Sequence, residues 1–157
     1  AEMEKSVAYG NPFMATEIRF VGRKGGPISY ETLGGLEGHR IAVGTGFLYE
    51  EGFDNADTLD KYEVTTTLQG IRMVAAGRAD LTLDSEHVVG HAINVEDPEL
   101  SDLVEMIPGV LARREVHMAV VRTRPDHARI VSDFNAALQE MRNDGSLAAI
   151  MRSHNAN

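Results

Sequence analysis

The sequence predicts an α/β fold, with helices covering both faces of a largely parallel sheet. Three observations predict it. Short apolar runs alternate with segments of helical period along the chain. Glycine-rich punctuation separates them. The segment from Leu68 to Glu86, LQGIRMVAAGRADLTLDSE, holds a complete helix–strand–helix junction. In it Leu68, Ile71, Val74 and Ala75 share one helical face. Gly77 stops that helix, and Arg78 sets a cation at the negative end of the dipole. A strand from Ala79 to Leu83 follows, and Asp84, Ser85 and Glu86 open the next helix. A polar cluster between a strand's carboxyl end and a helix's amino end is where open α/β proteins hold small ligands.

The remaining elements follow in order. YGNPF (9–13) reads as a turn, and MATEIRFVGRK (14–24) as a strand burying Ile18, Phe20 and Val21. GGPISYETLGGLEGH is turn-rich, and His39 to Gly46 is a short buried strand ending in glycine. FLYEEGFDNA begins a helix, and KYEVTTT is a strand leading into the helix described above. Ser85 to Asn94 is the next helix, and DLVEMIPGVL is irregular or extended. Glu115 to Thr123 is a strand. After Pro125 comes a long amphipathic helix with Ile130, Phe134, Ala137, Leu138 and Met141 in register. Gly145 breaks it, and SLAAIMRSH is a last short helix.

Composition narrows the function. The 157 residues suffice for one ordinary domain or two small lobes. At 43% hydrophobic and 25% charged, the chain can pack a core. Its formal charge of −9 argues against nucleic acid and against an anionic membrane surface as partners. The absence of cysteine excludes disulfides, thiolate metal sites and cysteine nucleophiles. No apolar run reaches membrane-spanning length, and no basic start leads into an apolar signal core. A mature product and a trimmed chain would both begin this way.

Four blocks resemble the family 3 extracytoplasmic (periplasmic) solute-binding proteins, the amino-acid receptors of ABC importers. YGNPF is similar to that family's aromatic-Ser-x-Pro-aromatic turn. LEGHRIAVGTGFLYEEGF is similar to its strand, glycine and ligand-facing helix start. IRMVAAGRADLTLDSE resembles its helix, Gly-Arg-x-Asp and acidic strand tip, and FNAALQEMRNDGSLAAIMRSH its closing helix pair. The resemblance implies a type II periplasmic-binding-protein-like α/β fold with one complete lobe and a partial first lobe. Residues 1–24 would be partial lobe one and the first hinge strand, 25–114 the complete second lobe, and 115–157 the return strand and closing helices. A block that usually precedes YGNPF is absent, so the N-terminal part of lobe one is expected to be missing.

The same resemblance implies solute binding in an interlobe cleft for ABC-type import, in the periplasm or outside the cell, with closure about two hinge strands. The partners implied are a small-molecule solute, an ABC permease and a second copy joined through the incomplete first lobe. The site departs from the family pattern. Where relatives carry a carboxylate-clamping Arg, this chain has Met3 or Glu4. Phe47 and Leu48 replace Thr or Ser hydroxyls, and Ser85 stands where an Asp binds the ammonium group, with Asp84 one place earlier.

Candidate ligand-binding residues are therefore Thr45, Gly46, Phe47, Leu48 and Tyr49, a loop and helix terminus whose N–H groups attract anions and whose rings can stack. Asp84, Ser85 and Glu86 either line the same site or merely cap a helix. Phe47 is alternatively a hydrophobic staple. Tyr9 and Phe13 flank Pro12 and either stack on ligand or cover exposed core. Asp80 reads as structural, bonding nearby backbone.

No metal and no cofactor is expected. His87 and His91 have ligand spacing, but Val88 stands where a zinc protease carries Glu. The run Asp54 to Asp60 lacks a calcium-loop pattern at Ala56 and Thr58. No nucleophile triad or phosphate loop is present, so a binding module is expected rather than an enzyme. The alternatives are a non-binding fragment or degenerate structural or sensor domain, and, ranked below it, a dehydratase of the same fold acting through Asp84 and Glu86.

Overall fold

The structure, a computed structural model, describes residues 6–153. Close contacts divide the chain into two compact units, one of Thr16–Arg114 and one of Ala1–Ala15 with Glu115–Asn157. Strands β1 (Val7–Arg23) and β6 (Ala112–Val121) each run through both units and pair with one another.

In the Thr16–Arg114 unit the chain passes through β2 (Arg40–Gly44), a short α1 (Glu51–Asp54), β3 (Asp60–Val64) and α2 (Thr67–Ala75). It continues through β4 (Leu81–Ser85), α3 (Glu86–His91), a π turn (Ala92–Glu96) and β5 (Val104–Met106). The strand order is β3-β2-β4-β1-β5. β2 lies parallel to β3 (Ala42 opposite Tyr62) and to β4 (Ile41 opposite Leu81). β1 runs antiparallel to β4 and β5. The sheet is thus mixed, not largely parallel. Helical crossovers impose parallel pairing only on β2, β3 and β4. β1 precedes the first crossover, so the alternation leaves its direction open.

Side chains alternate between two faces, as a pleated strand requires. Phe20, Ile41, Leu81 and Leu83 enter one core with Leu36, Tyr49 and Phe53. Val21, Ala42, Val64 and Ala79 enter the other with Ile71 and Val74 of α2. α2 comes so close to the sheet that a Cβ on Gly70 would lie 2.5 Å from Thr82 Oγ1. That hydroxyl, itself buried, donates to the Ala42 carbonyl at 3.0 Å.

The other unit adds α4 (His127–Asn143) and α5 (Ser146–Ser153). Among its described residues the buried hydrocarbon is Ala8 and Leu138. Residues 9–13, expected as a turn, lie inside β1. β4 and β5 pair only with Ile18 to Arg23, which leaves the earlier stretch of β1 as an edge with β6, where proline is tolerated. No described helix is long and apolar enough to cross a membrane.

Candidate functional site

Because β2, β3 and β4 are parallel, their carboxyl ends share one edge of the Thr16–Arg114 unit. Gly44 lies opposite Val64, and the Ala42–Thr82 register carried on two residues sets Gly44 level with Asp84. The two tips singled out in the sequence therefore adjoin.

The first tip is a turn, not a helix start. Thr45 donates its N–H and hydroxyl to the Val64 carbonyl, at 3.0 and 3.2 Å. Gly46 takes a left-handed φ of +75°, which favours glycine, and Phe47 N–H closes the turn on the Gly44 carbonyl. Residues 47–50 are irregular. The helix begins only at Glu51, capped by Glu50, whose carboxylate accepts Phe53 N–H at 2.9 Å. The N–H groups of Gly52 and Phe53 hold the Glu50 carboxyl below its ordinary pKa. The expected anion-attracting terminus at Thr45–Tyr49 is thus displaced to Glu50 and already holds a carboxylate of the chain itself.

Tyr49 explains the displacement. Its ring is buried in the core, its hydroxyl accepts Gly44 N–H at 2.8 Å, and its N–H donates to the Asp54 carboxylate. Burial raises the phenol pKa, and the nearby Asp84 charge adds to the rise. Phe47 stacks on Tyr49 with centroids 6.2 Å apart and 22° between planes. Phe47 stays 60% exposed, so it is not a staple; Leu48 is 80% exposed. A Cβ at Gly44 would come within 2.9 Å of the Phe47 ring, so glycine makes room for the pair.

At the second tip, Asp84 is almost wholly buried. It accepts the Thr67 hydroxyl and, at 2.6 Å, the Ser85 N–H. Ser85 caps α3 by accepting Val88 N–H. Glu86 turns toward β1 and accepts Glu17 N–H at 3.2 Å.

Three threonines at the end of β3 complete the edge. Thr66 caps α2 by accepting Gln69 N–H at 3.1 Å, while Gln69 accepts both the N–H and the hydroxyl of Thr65. Sequence reading assigned these threonines to a strand. The Thr66-x-x-Gln69 spacing of a capping box was the available signal. Two open concavities share Gly44 and Phe47. One, about 350 Å³, reaches Lys61 and Glu63; the other, about 420 Å³, is lined by Thr65, Thr66, Thr67, Val88 and Glu96.

The other candidates have their own partners. Tyr9 and Phe13 belong to the other unit, where Tyr9 meets the edge of His117 and Phe13 the edge of Phe134. Met3 and Glu4 lie outside the described residues. His87 bonds Thr16 at 3.0 Å while His91 lies 3.8 Å from Glu96. Among the described residues no three acids or histidines gather as a metal site. Asp80 accepts the N–H and guanidinium of Arg40, at 2.8 and 3.3 Å, and those bonds hold its carboxyl below the ordinary value.

No protein-family model matches this sequence. No curated protein matches it either. Solved structures do. A mutant of the arginine-binding protein ArgBP from T. maritima superposes with a TM-score of 0.78 at 19% identity, covering 99% of this chain and 65% of that one. The fold is periplasmic-binding-protein-like, with one full α/β lobe and part of a second. The GluR0 ligand-binding core from Nostoc punctiforme, in complex with L-glutamate, matches at 0.74 and 17% identity, over 100% of this chain and 69% of that one. An arginine transport system periplasmic binding protein from Legionella pneumophila matches at 0.71 and 16%, over 98% and 67%. The chain spans about two thirds of these proteins' length. At such identities the likeness is one of fold.

Proposed function

We propose that this chain is an extracytoplasmic solute-binding-protein-like domain that holds a small polar solute at the shared carboxyl edge of β2, β3 and β4. The observation that carries this reading is that the edge is open. Phe47, Leu48 and Val88 stay exposed around Gly44 and the threonines instead of closing into the core. A strand end that served folding alone would gain by covering such side chains. Ligands of open α/β sheets bind at this edge.

Delivery to an ABC-type permease, and a periplasmic or extracellular setting, are proposed from the likeness to the Legionella periplasmic binding protein. Residues 25–114 are proposed as the complete lobe, with 1–24 and 115–157 contributing the partial one. The passage of β1 and β6 through both units supports this. Binding is favoured over turnover because the acids an enzyme would use are engaged, Asp84 by Thr67 and Ser85, Glu86 by the Glu17 N–H. Pairing of two copies through the smaller unit is proposed from its thin core and its exposed Val121 and Ile150. Sedimentation at micromolar concentration reads this pairing, and a strict monomer contradicts it.

Calorimetric titration against amino acids, amines, organic acids and sugars tests the main reading. We expect saturable heat with one class, lost in Phe47→Ala while the circular dichroism is unchanged. Absence of saturable heat from every class refutes it.

A further inference from the structure

We infer that the solute is an organic amine without a carboxylate, its apolar body lying on the Phe47 ring. The inference rests on the proposed solute-binding edge and names the chemistry that edge selects. The cavity pair is walled by an aromatic whose one face is already fixed. Phe47 rests on Tyr49, and the residue as a whole remains 60% exposed. An exposed ring held by a stacked neighbour is a preorganised platform, and its π-face attracts cations.

The sign of the surrounding charge agrees. Among the described residues, Lys61 is the one cation lining either concavity. Its ammonium is bound to the Phe53 and Asp54 carbonyls at 2.7 and 2.9 Å and lies 5.2 Å from the Phe53 ring centroid. A solute carboxylate therefore meets no free side-chain cation there. Glu63 and Glu96 stand at the rim. Behind Thr67 the Asp84 carboxylate is buried with a hydroxyl and an N–H as partners and no cation. Lys61 keeps its full charge and the amino end of α2 adds about half a positive charge, against the carboxylates of Asp54, Glu63, Glu96 and Asp84. The balance favours a cation.

The Thr65 and Thr67 hydroxyls already donate to Gln69 and Asp84, and Gln69 N–H to Thr66, so the Thr66 hydroxyl proton and the Thr67 and Leu68 N–H groups are what the start of α2 offers to polar atoms on the solute. Leu68, Val88 and Ala92 add apolar lining to the same concavity as Phe47. Together these features select an arylalkylamine-like molecule over an amino acid.

Four probes of one skeleton decide it: phenethylamine, 2-phenylethanol, 3-phenylpropionate and L-phenylalanine, each titrated by calorimetry into the whole chain. We expect phenethylamine to bind at least tenfold tighter than the other three. Phe47→Ala should weaken it tenfold or more, and Glu96→Gln severalfold, with 2-phenylethanol unaffected by the latter. Equal or tighter binding of the amino acid or the acid overturns the inference while leaving solute binding intact. Equal binding of the alcohol overturns the cationic part and with it the inference. If none of the four binds, the inference falls. The broader panel then decides separately whether solute binding falls with it.

Discussion

The two units of this chain are unequal in how they are held together. Apart from Ala8 and Leu138, the buried hydrophobic side chains of the described residues lie between Thr16 and Arg114. There a sheet packs on both faces, so each strand contributes to two cores. In the other unit, α4 is amphipathic, but only Leu138 of its apolar face is fully covered; Ile130, Phe134 and Met141 are half-buried. The difference teaches where a precise site can be built. A geometry of turns and caps needs a rigid base, and a sheet covered on both faces supplies one. The candidate edge sits on that base.

Removing core from each unit sharpens the comparison most. Phe20 is fully buried against Tyr30 and Phe53. Phe20→Ala should cost about 3–5 kcal/mol in urea unfolding. Phe134 meets Phe13 edge-on in the thinner unit. Phe134→Ala should cost about 1–2 kcal/mol, because a half-covered ring loses less on truncation. Equal costs would break the comparison.

Glycine approaches give the next effect. Gly70→Ala drives a methyl into the buried Thr82 hydroxyl, and about 1–3 kcal/mol should be lost. Gly10→Ala meets the Phe134 ring at 2.8 Å, but that ring is half-exposed and can swing aside. Its cost should stay below about 1 kcal/mol. A larger loss at Gly10 than at Gly70 would show the smaller unit to be the tighter one.

The sequence carried most of the larger unit. Ile18 and Phe20 were readable as buried by alternation, Val21 by its apolar type alone since it faces the other core, and Ile71 and Val74 by helical spacing. Gly77, at φ +71°, ends α2 as its residue type suggested. What failed was local. Residues 47–50 look helical by composition, but Tyr49 is drawn into the core and its hydroxyl takes the Gly44 N–H, which holds the segment extended until Glu50 caps α1. Residues 9–13 look like a turn because of Pro12, and only the absence of β4 and β5 alongside them permits a strand. The Thr65–Thr67 cap was hidden by β-branched residues that also suit a strand end. Strand direction was beyond reach wherever no crossover helix fixed it.

The smallest predicted effect is electrostatic. Bonds from the Arg40 N–H and guanidinium hold the Asp80 carboxyl below its ordinary pKa. A lowered folded value means that the stabilisation is complete above the unfolded pKa of about 3.9 and is lost as pH falls through the folded value. Asp80→Asn should therefore cost about 1 kcal/mol at neutral pH and flatten the acid limb below roughly pH 4. Asp126 in the other unit is also held low, by Arg124, and is about as exposed as Asp80, but its main partner is a guanidinium two residues away rather than the backbone N–H of a residue 40 positions distant. Asp126→Asn should leave the acid limb nearly unchanged. An equal response from the two would remove the electrostatic side of the contrast.

Backbone amide shifts followed through a solute titration test the central claim most directly. Using the tightest solute found by calorimetry, the largest shifts should fall at Gly44 to Tyr49, Thr65 to Leu68 and Asp84 to Val88. Saturable shifts centred elsewhere, with these amides unmoved, would contradict the assignment of the solute to the carboxyl edge of β2, β3 and β4.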